Sequence, residues 1–470
     1  MTGIKGTGMA ALAEILVERG AQVSGSDVAE RFFTDELLAA IGVEPRVGFD
    51  ASHLAAAVDL LVYSSAYDET NPERREAERR SIPSYSYPQM LGLLSQPQPS
   101  LAVAGVHGKT TTTAMIGAMV RAGHVPATVV VGSAVPDFGG SATLRQGGDY
   151  LIAETCEYRR HFLDFHPQTL LVTSIEADHL DYYRDLEDVT SAFRSLVDRL
   201  PQCGTIVFCS DDPGAQALGT WAEDVRPDLR SVSYGRSTEA ELHIVDGESA
   251  DGRQHFALVV QDGSQVASEL AGTWSLGVPG EHMVANAAGA LAALSALAGA
   301  PSPAQRRAWM QALDSFAGTR RRSELIWNGG GIRIMDDYAH HPTAIRLTLA
   351  GYRRFWPDSR IIVDFMSHTY SRSIALLSGF TTAFGDADLL ILNDIYGSAR
   401  ERAGGQITGE QFAAEIARSH GNVRYEPDFE RVVDMLAEEL RPGDLFVTMG
   451  AGDNFRIAPR LRERLEGKSR

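Results

Sequence analysis

The sequence contains almost no lysine. Lysine occurs only at Lys5, Lys109 and Lys468, and arginine supplies the rest of the 43 basic residues. Lys109 nevertheless stands inside a glycine-containing loop, in the stretch VAGVHGKTTTTAM. We interpret its retention there as a requirement for an ammonium group, a compact positive charge that suits phosphate.

Cysteine and long apolar runs are also scarce. The three cysteines, Cys156, Cys203 and Cys209, have no metal-ligand spacing and suggest no disulfide framework, which is typical of a reducing compartment. No apolar run approaches the roughly 20 residues that a membrane-spanning helix needs, and the N-terminus lacks a signal-peptide pattern. These absences predict a cytoplasmic protein that does not insert into membranes.

A net positive charge is absent as well. The formal charge is -18 at pH 7, so the chain lacks the basic surface that nucleic-acid binding requires. Nucleic acid is therefore not expected as a partner. Any anionic substrate must be held by local hydrogen-bond donors and single charges.

Length and pattern predict an α/β protein of three domains. At about 150 residues per domain, a chain of 470 residues predicts three. We expect a Rossmann-like domain over residues 1–96, a central P-loop-type ATPase domain over 97–315 and a second Rossmann-like domain over 316–470. The stretch LSQPQPS at 94–100 is polar and contains proline, which is typical of a linker.

Turn and strand signals fill the second half of the chain. Asp246-Gly247, Asp251-Gly252 and Asp262-Gly263 stand among alternating apolar residues and predict hairpins inserted in the central domain. From residue 332 onward, apolar strands alternate with helical stretches, which predicts a doubly wound unit. Its predicted strands are IRIMDDY, RIIVDFM, LLILNDIY and DLFVTMG.

The first segment begins with a glycine loop. Gly3, Gly6 and Gly8 precede an amphipathic helix and a short strand that ends at Ser26 and Asp27. Their spacing, G-x-x-G-x-G, differs from the G-x-G-x-x-G of dinucleotide-binding proteins, so a nicotinamide cofactor is not favoured. Only two residues precede Gly3, so either the start is truncated or the sheet lacks part of its first strand.

The loop around Lys109 resembles a phosphate-binding loop in which one glycine is displaced. The common pattern G-x-x-x-x-G-K-[ST] would put a glycine at Val103, whereas the nearest glycine is Gly105. An apolar strand leads into the loop and a threonine-rich helix follows, so the backbone N–H groups of residues 106–110 can bind phosphate. The Thr110 hydroxyl can ligate Mg²⁺. The alternative is an ordinary tight turn with a solvated lysine.

A magnesium ion would need further ligands at neighbouring strand ends. Glu154 ends the apolar strand of DYLIAETCEY, and His179 follows the strand of LLVTSIEADHLDYY. Both are expected at the carboxyl edge of a parallel sheet, where such folds bind ligands. A carboxylate suits Mg²⁺, whereas histidine is a less usual ligand, and a capping or packing role is the alternative for His179.

Three polar stretches of the last segment add further candidates. DDYAHHP at 336–342 and SHTYSR at 367–372 each follow a predicted strand, and GTRRRSE at 318–324 lies at the second domain junction. Clustered arginines usually form a solvated face. At a hinge beside a triphosphate, however, they can close on the γ-phosphate.

Together these stretches resemble the Mur ligases of peptidoglycan synthesis, and within that family the type that adds L-alanine to UDP-N-acetylmuramate. The loop with the displaced glycine is similar to the family's short G-[TV]-[HN]-G-K-T loop. The resemblance covers nearly the whole chain and rests on motifs in the family's order: GIKGTGM, VSGSD, YSSAYDETNPE, EADHLDYY, GEHMVANAAGALAA, GTRRRSE, DDYAHHP, HTYSRS, IYGSARE and GDLFVTMGAGD.

The resemblance implies a role for each matching residue. ATP would be bound by the phosphate loop, an adenine-side pair, two phosphate-side arginines and two contacts from the last domain: Gly105, Val106, His107, Gly108, Lys109, Thr110, Thr111, His282, Asn286, Arg321, Arg322, Asp337 and Tyr338. The UDP-sugar would be bound by Gly6, Thr7, Gly8, Ser26, Asp27, Ser64 and Ser65. Two Mg²⁺ ions would be held, the first by Thr110 and the second by Glu154 and His179. The catalytic residues would be Lys109, His340, His368 and Arg372.

Several positions depart from the family pattern. The stretch ETCEYRRHF stands where the family has E-A-D-E-S-D, and it keeps Glu154 and Glu157 but replaces both aspartates. Phe49 after Gly48 replaces the histidine of a G-H pair near the uridine. Met283 replaces an asparagine, and Thr369 often has an arginine counterpart.

The activity implied by the resemblance is ATP-dependent amide bond formation between L-alanine and UDP-N-acetylmuramate through an acyl phosphate. The resemblance implies that the ligases of this family that add the second and third amino acids use a carbamylated lysine at the magnesium pair. No lysine lies between Lys109 and Lys468, which favours the alanine-adding type. The amine must arrive deprotonated, so His340 or His368 would act as a base or as an orienting group.

Two other functions are open at this point. One is the recycling ligase that joins a whole peptide to the same sugar, against which the stretch HTYSRS argues. The other is a catalytically silent UDP-sugar-binding regulator on the same fold. The stretch TCEYRRHF and the short N-terminus are the features that favour it.

Overall fold

The computed structural model describes residues 1–179, 182–250, 252–397 and 407–468. Parts of four predicted features lie outside the described residues: positions 180–181 of EADHLDYY, Asp251 of the Asp251-Gly252 turn, positions 398–401 of IYGSARE and the last two residues of the third segment. The chain forms two compact units, each built from separate stretches of sequence. The first comprises Met1–Val245, Ala257–Thr273 and Ala285–Leu313, and the second Asp246–Phe256, Trp274–Val284 and Asp314–Arg470.

The N-terminal part of the first unit has the predicted order of glycine loop, helix and strand. Its elements are α1 (Thr7–Glu18), β1 (Ser26–Asp27), α2 (Thr34–Ala40), β2 (Arg46–Val47), β3 (Leu61–Tyr63), α3 (Pro72–Arg79), β4 (Ser84–Ser86) and α4 (Tyr87–Ser95). Strands β1 and β2 pair in parallel, as do β3 and β4. Thr2 forms a single-residue bridge to each of β1 and β3, so one residue stands where a Rossmann-like sheet has its first strand.

The predicted linker at 94–100 is wrong for part of its length. Helix α4 continues to Ser95, and the next strand already begins at Ser100, so only residues 96–99 connect them. The Ser95 hydroxyl accepts a hydrogen bond from the backbone N–H of His166 at 3.0 Å, and the Ser100 hydroxyl donates to the carbonyl of Ser95 at 2.9 Å. These serines satisfy local backbone groups at the ends of the two elements, which is the physical reason for their presence.

The central part of the first unit is a parallel sheet with one antiparallel edge strand. Its elements are β5 (Ser100–Ala104), α5 (Lys109–Gly123), β6 (Ala127–Val130), β7 (Thr143–Arg145), β8 (Tyr150–Glu154), β9 (Thr169–Val172), α6 (Leu186–Val197), β10 (Thr205–Cys209), α7 (Pro213–Val225) and β11 (Arg230–Gly235). The strand order is β11-β10-β9-β5-β8-β6-β7. Every residue of β5, β9 and β10 is buried, which matches a parallel sheet covered on both faces. Strand β5 is therefore flanked by β8 and β9, both parallel to it.

The turn predicted at Asp262-Gly263 is present, since the backbone N–H of Ser264 donates to the carbonyl of Gln261 at 3.1 Å and Gly263 has φ 80°. The following elements are β12 (Leu242–Ala250), β13 (Arg253–Val260), β14 (Gly272–Leu276), α8 (Glu281–Ala298) and α9 (Pro303–Asp314). Strands β12 and β13 are sheet neighbours, and so are β13 and β14. The turn prediction at Asp246-Gly247 is wrong, because both residues lie inside β12. A Cβ atom on Gly247 would lie 2.8 Å from the carbonyl oxygen of His255, so close backbone approach explains this glycine.

The second unit contains the predicted doubly wound sheet. Its elements are β15 (Glu324–Gly329), β16 (Ile332–Asp337), α10 (Pro342–Phe355), β17 (Ile361–Met366), α11 (Tyr370–Ala375), α12 (Leu377–Ala383), β18 (Leu389–Leu392), α13 (Gly409–Ile416), β19 (Val423–Tyr425), α14 (Phe429–Glu439), β20 (Leu445–Gly450) and α15 (Ile457–Lys468). The order is β15-β16-β20-β17-β18-β19, and only β15 pairs antiparallel. Two hydrophobic clusters cover the two faces of this sheet. Among the described residues, no helix is both long and apolar enough to cross a membrane.

Candidate functional site

The phosphate-type loop connects β5 to α5, and its two glycines are each required by a close contact. Gly105 has φ 138°, and a Cβ atom there would lie 2.1 Å from Oγ1 of Thr173. Gly108 has φ 83°, and its Cβ would lie 2.5 Å from Oδ1 of Asn286 on α8. Val103 is fully buried inside β5. The glycine is displaced because the strand occupies position 103 and the chain first turns at Gly105.

Lys109, the first residue of α5, does not extend into solvent. Its Nζ donates to Oε2 of Glu157 at 2.8 Å and to the backbone carbonyls of Gly105 and Val106. Its side chain is 12% exposed and that of Glu157 only 3%. Burial lowers the pKa of this ammonium, but the charge and hydrogen bond of Glu157, together with Glu154 and Cys156, outweigh burial and hold the pKa above its ordinary value. The structure therefore contradicts the solvated-lysine alternative.

Glu157 contacts both Lys109 and His179, for which different roles were predicted. Its Oε2 pairs with Lys109, and its Oε1 lies 3.5 Å from Nε2 of His179. Burial raises the pKa of this carboxyl, but Lys109 and His179 outweigh it and hold the pKa below its ordinary value. The sequence analysis quoted Glu157 as a retained motif residue and assigned it no role. A role for Glu157 could have been inferred from its position three residues after Glu154, which ends β8.

Glu154 and Thr110 form the second contact of the site. The Thr110 hydroxyl donates to Oε1 of Glu154 at 2.9 Å, and the backbone N–H of Gly132 donates to Oε2 at 2.7 Å. A Cβ atom on Gly132 would lie 2.5 Å from the same carboxylate. Two carboxylates, a hydroxyl and a histidine thus converge from the ends of β5, β8 and β9. This oxygen-rich donor set fits Mg²⁺.

The loop that carries these carboxylates has an unusual backbone. Arg159 and Arg160 both have positive φ, at 53° and 60°, and so does His179 at 53°. Arg160 forms an ion pair with Asp188 at 2.6 Å, and the ring of Tyr158 packs on His179 with centroids 4.7 Å apart. These contacts hold a conformation that non-glycine residues rarely adopt. His179 is therefore both packed on an aromatic ring and paired with Glu157.

The remaining residues of the loop are fixed by the segment that follows β9. The backbone N–H of Val106 donates to the carbonyl of Ser174, and that of His107 to the Ser174 hydroxyl, both at 2.9 Å. The His107 ring lies 3.3 Å from Glu176. Thr111 is buried in the first turn of α5.

The predicted UDP-sugar residues surround the N-terminus of α1. Asp27 accepts hydrogen bonds from the backbone N–H groups of Lys5 and Val28 and from the hydroxyl of Tyr67. Ser26 is 1% exposed, and its hydroxyl donates to the buried carboxylate of Glu73 at 2.6 Å. Ser26 and Asp27 therefore hold the glycine loop in place.

The other residues predicted to bind the UDP-sugar make fewer contacts within the protein. The Ser64 hydroxyl accepts from the N–H of Ala66 at 3.3 Å, and Ser65 is exposed. Gly6 precedes α1, which Thr7 and Gly8 open. The departure at Phe49 places its ring 4.4 Å from that of Tyr67, measured between centroids.

In the second unit, the predicted nucleotide residues lie at the end of β16. Asp337 is buried, and it accepts from the N–H groups of Ser323 and Ala339 at 2.7 and 2.8 Å. Arg321 and Arg322 each lie 5.0 Å from the ring centroid of Tyr338. The guanidinium of Arg321 also contacts Asp336 at 3.0 Å and the carbonyl of Gly450 at 2.7 Å, so it joins two strands of its own unit.

Three residues that were predicted to handle the incoming amino acid and the reacting acyl group lie close together in the second unit. Nδ1 of His340 lies 2.9 Å from the carbonyl oxygen of Tyr338. The rings of His340 and His368 have centroids 6.5 Å apart, and Arg372 Nη1 lies 3.4 Å from His368 Nδ1. His368 also stacks on Tyr396 at 5.6 Å with an interplanar angle of 16°. His282, for which an adenine-side role was predicted, lies in the same unit against Gly280.

Models of known protein families match three ranges of this chain. Residues 1–98 match the model described as Mur ligase family, catalytic domain, residues 103–294 the Mur ligase middle domain, and residues 321–452 the Mur ligase, glutamate ligase domain. The chain belongs to the Mur ligase family. The family prediction and the prediction of a three-domain α/β fold are both confirmed.

Relatives within the family match over almost their full length. The UDP-N-acetylmuramate--L-alanine ligase of Treponema pallidum (strain Nichols) is 47% identical, with 97% of this chain and 94% of the relative covered. The ligase of the same name from Desulfitobacterium hafniense is 40% identical, with 98% of each chain covered. Among solved structures, the UDP-N-acetylmuramate-alanine ligase of Thermotoga maritima shares the fold, with a TM-score of 0.80, 23% identity and coverage of 99% of this chain and 98% of that one.

Proposed function

We propose that this chain joins L-alanine to UDP-N-acetylmuramate at the expense of ATP, in peptidoglycan precursor synthesis and in the cytoplasm. The observation that carries the proposal is the cluster of Lys109, Thr110, Glu154, Glu157 and His179 at one edge of the central sheet. An ammonium and an oxygen-rich donor set fit the triphosphate of ATP and its cations. The full-length relatives named for this reaction support the choice of substrates.

The reaction proceeds in two steps. A lactyl carboxylate oxygen attacks the γ-phosphorus of ATP, ADP leaves, and an acyl phosphate forms. The amine of alanine then attacks the acyl carbon, phosphate leaves, and the amine nitrogen loses its proton. Lys109 offsets charge on the transferring phosphoryl group, and the backbone N–H groups at the start of α5 orient it.

Two Mg²⁺ ions are part of the proposal. Thr110 would hold the first, and Glu154 and His179 the second. When bound, the metal ions neutralise charge on the phosphate oxygens. The protein's own contribution is to hold two carboxylates, a hydroxyl and an imidazole on rigid strand ends.

We assign the proton-accepting role to His340 and the orienting role to His368. A carbonyl oxygen only accepts, so Nδ1 of His340 donates to Tyr338, and the neutral ring carries its lone pair on Nε2. Nδ1 of His368 faces the guanidinium of Arg372, which only donates. The Nε2 atom of His368 therefore carries the proton and suits a carboxylate rather than an amine. We further propose that Arg321, Arg322, Asp337 and Tyr338 contact the nucleotide.

Phosphate release tests the proposal directly. Purified protein is mixed with ATP, Mg²⁺, UDP-N-acetylmuramate and individual amino acids, and we expect release that depends on L-alanine. Release only with a whole peptide would indicate the recycling ligase, and no release would indicate a silent UDP-sugar-binding protein. Lys109→Ala should abolish turnover and keep UDP-sugar binding, whereas replacing the exposed Arg307 by Ala should change neither.

A further inference from the structure

Lys5 is one of the three lysines and stands in the glycine loop GIKGTGM, yet no role was predicted for it. Its side chain is only 7% exposed. Nζ donates to the carbonyl oxygens of Val28 and Glu30 at 3.1 and 2.9 Å, and it lies 3.0 Å from Oδ1 of Asp35. An ammonium group has three N–H donors, and three acceptors surround it here. Lys5 therefore directs its charge into the protein and away from any ligand.

The backbone of Lys5 makes two further hydrogen bonds to the same segment of the chain. Its N–H donates to Oδ2 of Asp27 at 2.7 Å, and its carbonyl accepts from the Thr34 hydroxyl at 2.5 Å. Both partners are buried, with 4% of Asp27 and 1% of Thr34 exposed. Every polar group of Lys5 thus contacts segment 27–35, which leads from β1 into α2. Lys5 holds this segment against the glycine loop.

The geometry around Lys5 suits lysine and not arginine. A guanidinium carries its donors in a planar, rigid fork, whereas the three acceptors around Lys5 all surround one nitrogen atom. In a position this enclosed, the additional N–H groups of an arginine would be left without partners, which is unfavourable. Arginine supplies nearly all other basic residues of this chain, so the lysine at position 5 matches a local need for a compact ammonium.

The part of the loop that follows Lys5 is the predicted binding site of the UDP-sugar. Residues 6–8 come directly after it, and α1 begins at Thr7. On the other side of Lys5, the backbone N–H groups of Gly3 and Ile4 donate to the carbonyl of Ser26 at 2.9 and 3.2 Å. The loop is thus attached to β1 before Lys5 and to segment 27–35 at Lys5. A diphosphate is expected at the N-terminus of α1, where the helix presents its first N–H groups.

We propose that Lys5 is a positioning residue of the UDP-sugar site, which holds the glycine loop and the start of α1 in the conformation that binds the UDP part of the substrate. This inference rests on the proposed function, since UDP-N-acetylmuramate is the ligand of that site. Lys5 itself touches no substrate. Without its ammonium, segment 27–35 loses its three bonds to the side chain, and the loop must be ordered at the expense of binding free energy.

Lys5→Met tests the assignment, because methionine has a side chain of similar length and no charge. Dissociation constants for UDP and for UDP-N-acetylmuramate are measured by calorimetry without ATP, at a temperature where the variant is folded. We expect both constants to rise by the same factor, at least about tenfold. In turnover assays, the KM for UDP-N-acetylmuramate should rise likewise, whereas kcat and the KM values for ATP and L-alanine should match those of wild type.

Two further variants separate positioning from a general loss of stability. Lys5→Arg keeps the positive charge, but we expect it to weaken UDP binding as well, because its fork does not fit the three acceptors. Thr34→Val removes the hydroxyl that donates to the Lys5 carbonyl and nearly keeps the side-chain shape. It should weaken UDP binding roughly two- to fivefold, and it carries the test if Lys5→Met does not fold.

Arg31→Met is the matched control. Arg31 belongs to the same segment, but its side chain is 81% exposed and pairs at 3.7 Å with the equally exposed Glu36. Such a surface pair contributes little to stability. The control variant removes one positive charge from segment 27–35, as Lys5→Met removes one beside it. It should leave both affinities, turnover and thermal unfolding unchanged.

The contrary results can be told apart. Wild-type affinity for UDP in Lys5→Met or in Lys5→Arg would overturn the proposal, and so would a lower kcat with every KM unchanged, which would assign Lys5 to folding alone. Equal weakening in Arg31→Met would also overturn it, because overall charge would then explain the effect. If wild-type protein bound neither UDP nor UDP-N-acetylmuramate, the proposed function itself would fail, whatever the variants did.

Discussion

The ammonium of Lys109 and the carboxylate of Glu157 lie 2.8 Å apart in a part of the first unit that is almost closed to water. They are 48 positions apart in the sequence and belong to loops that follow β5 and β8. Because both charges are largely buried, each depends on the other for compensation. The same pair presents the ammonium that the proposed reaction requires.

Neutralising the carboxylate should therefore affect stability as well as catalysis. Glu157→Gln leaves the buried ammonium without a counter-charge, and we expect a loss of about 3–5 kcal/mol in the free energy of unfolding. Urea unfolding measures this loss. The double variant Lys109→Met with Glu157→Gln should recover most of it, because neither charge is then present. A double variant as unstable as the single one would show that the pair contributes only through packing.

The stability that this pair contributes should depend on pH in a defined direction. The pKa of Glu157 is depressed in the folded protein, so its contribution is complete above the ordinary carboxyl pKa of 4.5 and is lost as the pH falls through the folded value. The pKa of Lys109 is raised, so its contribution is present below 10.5 and is lost only as the pH rises through the higher folded value.

Unfolding curves between pH 3 and pH 7 test the acid side of this prediction. The difference in unfolding free energy between wild type and Glu157→Gln should be constant near pH 7 and should shrink toward pH 3. A difference that does not change across this range would mean that Glu157 is already neutral in the folded protein.

Asp364 should produce a pH dependence of opposite sign. It is fully buried in β17, accepts hydrogen bonds from the side chains of Asn393 and Asn454, and burial raises its pKa to about 7. The folded protein retains this proton up to about pH 7, whereas the unfolded chain releases it near 3.8. Its contribution to stability therefore falls as the pH rises between these values.

The neutral variant Asp364→Asn tests this slope. Its new amide can donate to the amide oxygen of Asn393 or Asn454 once one of them rotates. Relative to wild type, the variant should gain stability as the pH rises from about 4 to 7, by at most about 1.4 kcal/mol per pH unit. Replacing the exposed Asp358 by Asn serves as control. Parallel curves for wild type and Asp364→Asn would contradict the prediction.

Cys156 should react slowly despite its exposure. Although the residue is partly exposed, the surrounding protein desolvates its sulfur. This desolvation, together with the nearby Glu157 carboxylate, raises the pKa of the thiol to about 12, so very little thiolate exists at pH 8. Cys203 is exposed on a loop and provides an internal reference. With iodoacetamide, we expect Cys156 to be alkylated at least roughly 100-fold more slowly than Cys203, as read by peptide mass spectrometry. Similar rates at the two cysteines would refute the raised pKa.

The strand, loop and helix around Lys109 were recognisable from the sequence because these elements are consecutive in the chain. Strand, loop and helix follow one another within residues 100–123, and both glycines have positive φ, although contacts with Thr173 and Asn286 also leave no room for a side chain there. The doubly wound last segment was also predictable, since its buried strands are continuous apolar runs. The turn prediction at Asp246-Gly247 was wrong because a glycine can also be required where two strands approach closely, as Gly247 is beside His255.

The linear sequence was enough to identify the family and the order of the elements, since these follow from short motifs and periodicity. It could not show that Glu157 pairs with Lys109 and His179. That relationship arises only when β5 pairs with β8 and β9. Side chains distant in sequence meet at a sheet edge because strand pairing, a tertiary event, aligns the loops that carry them.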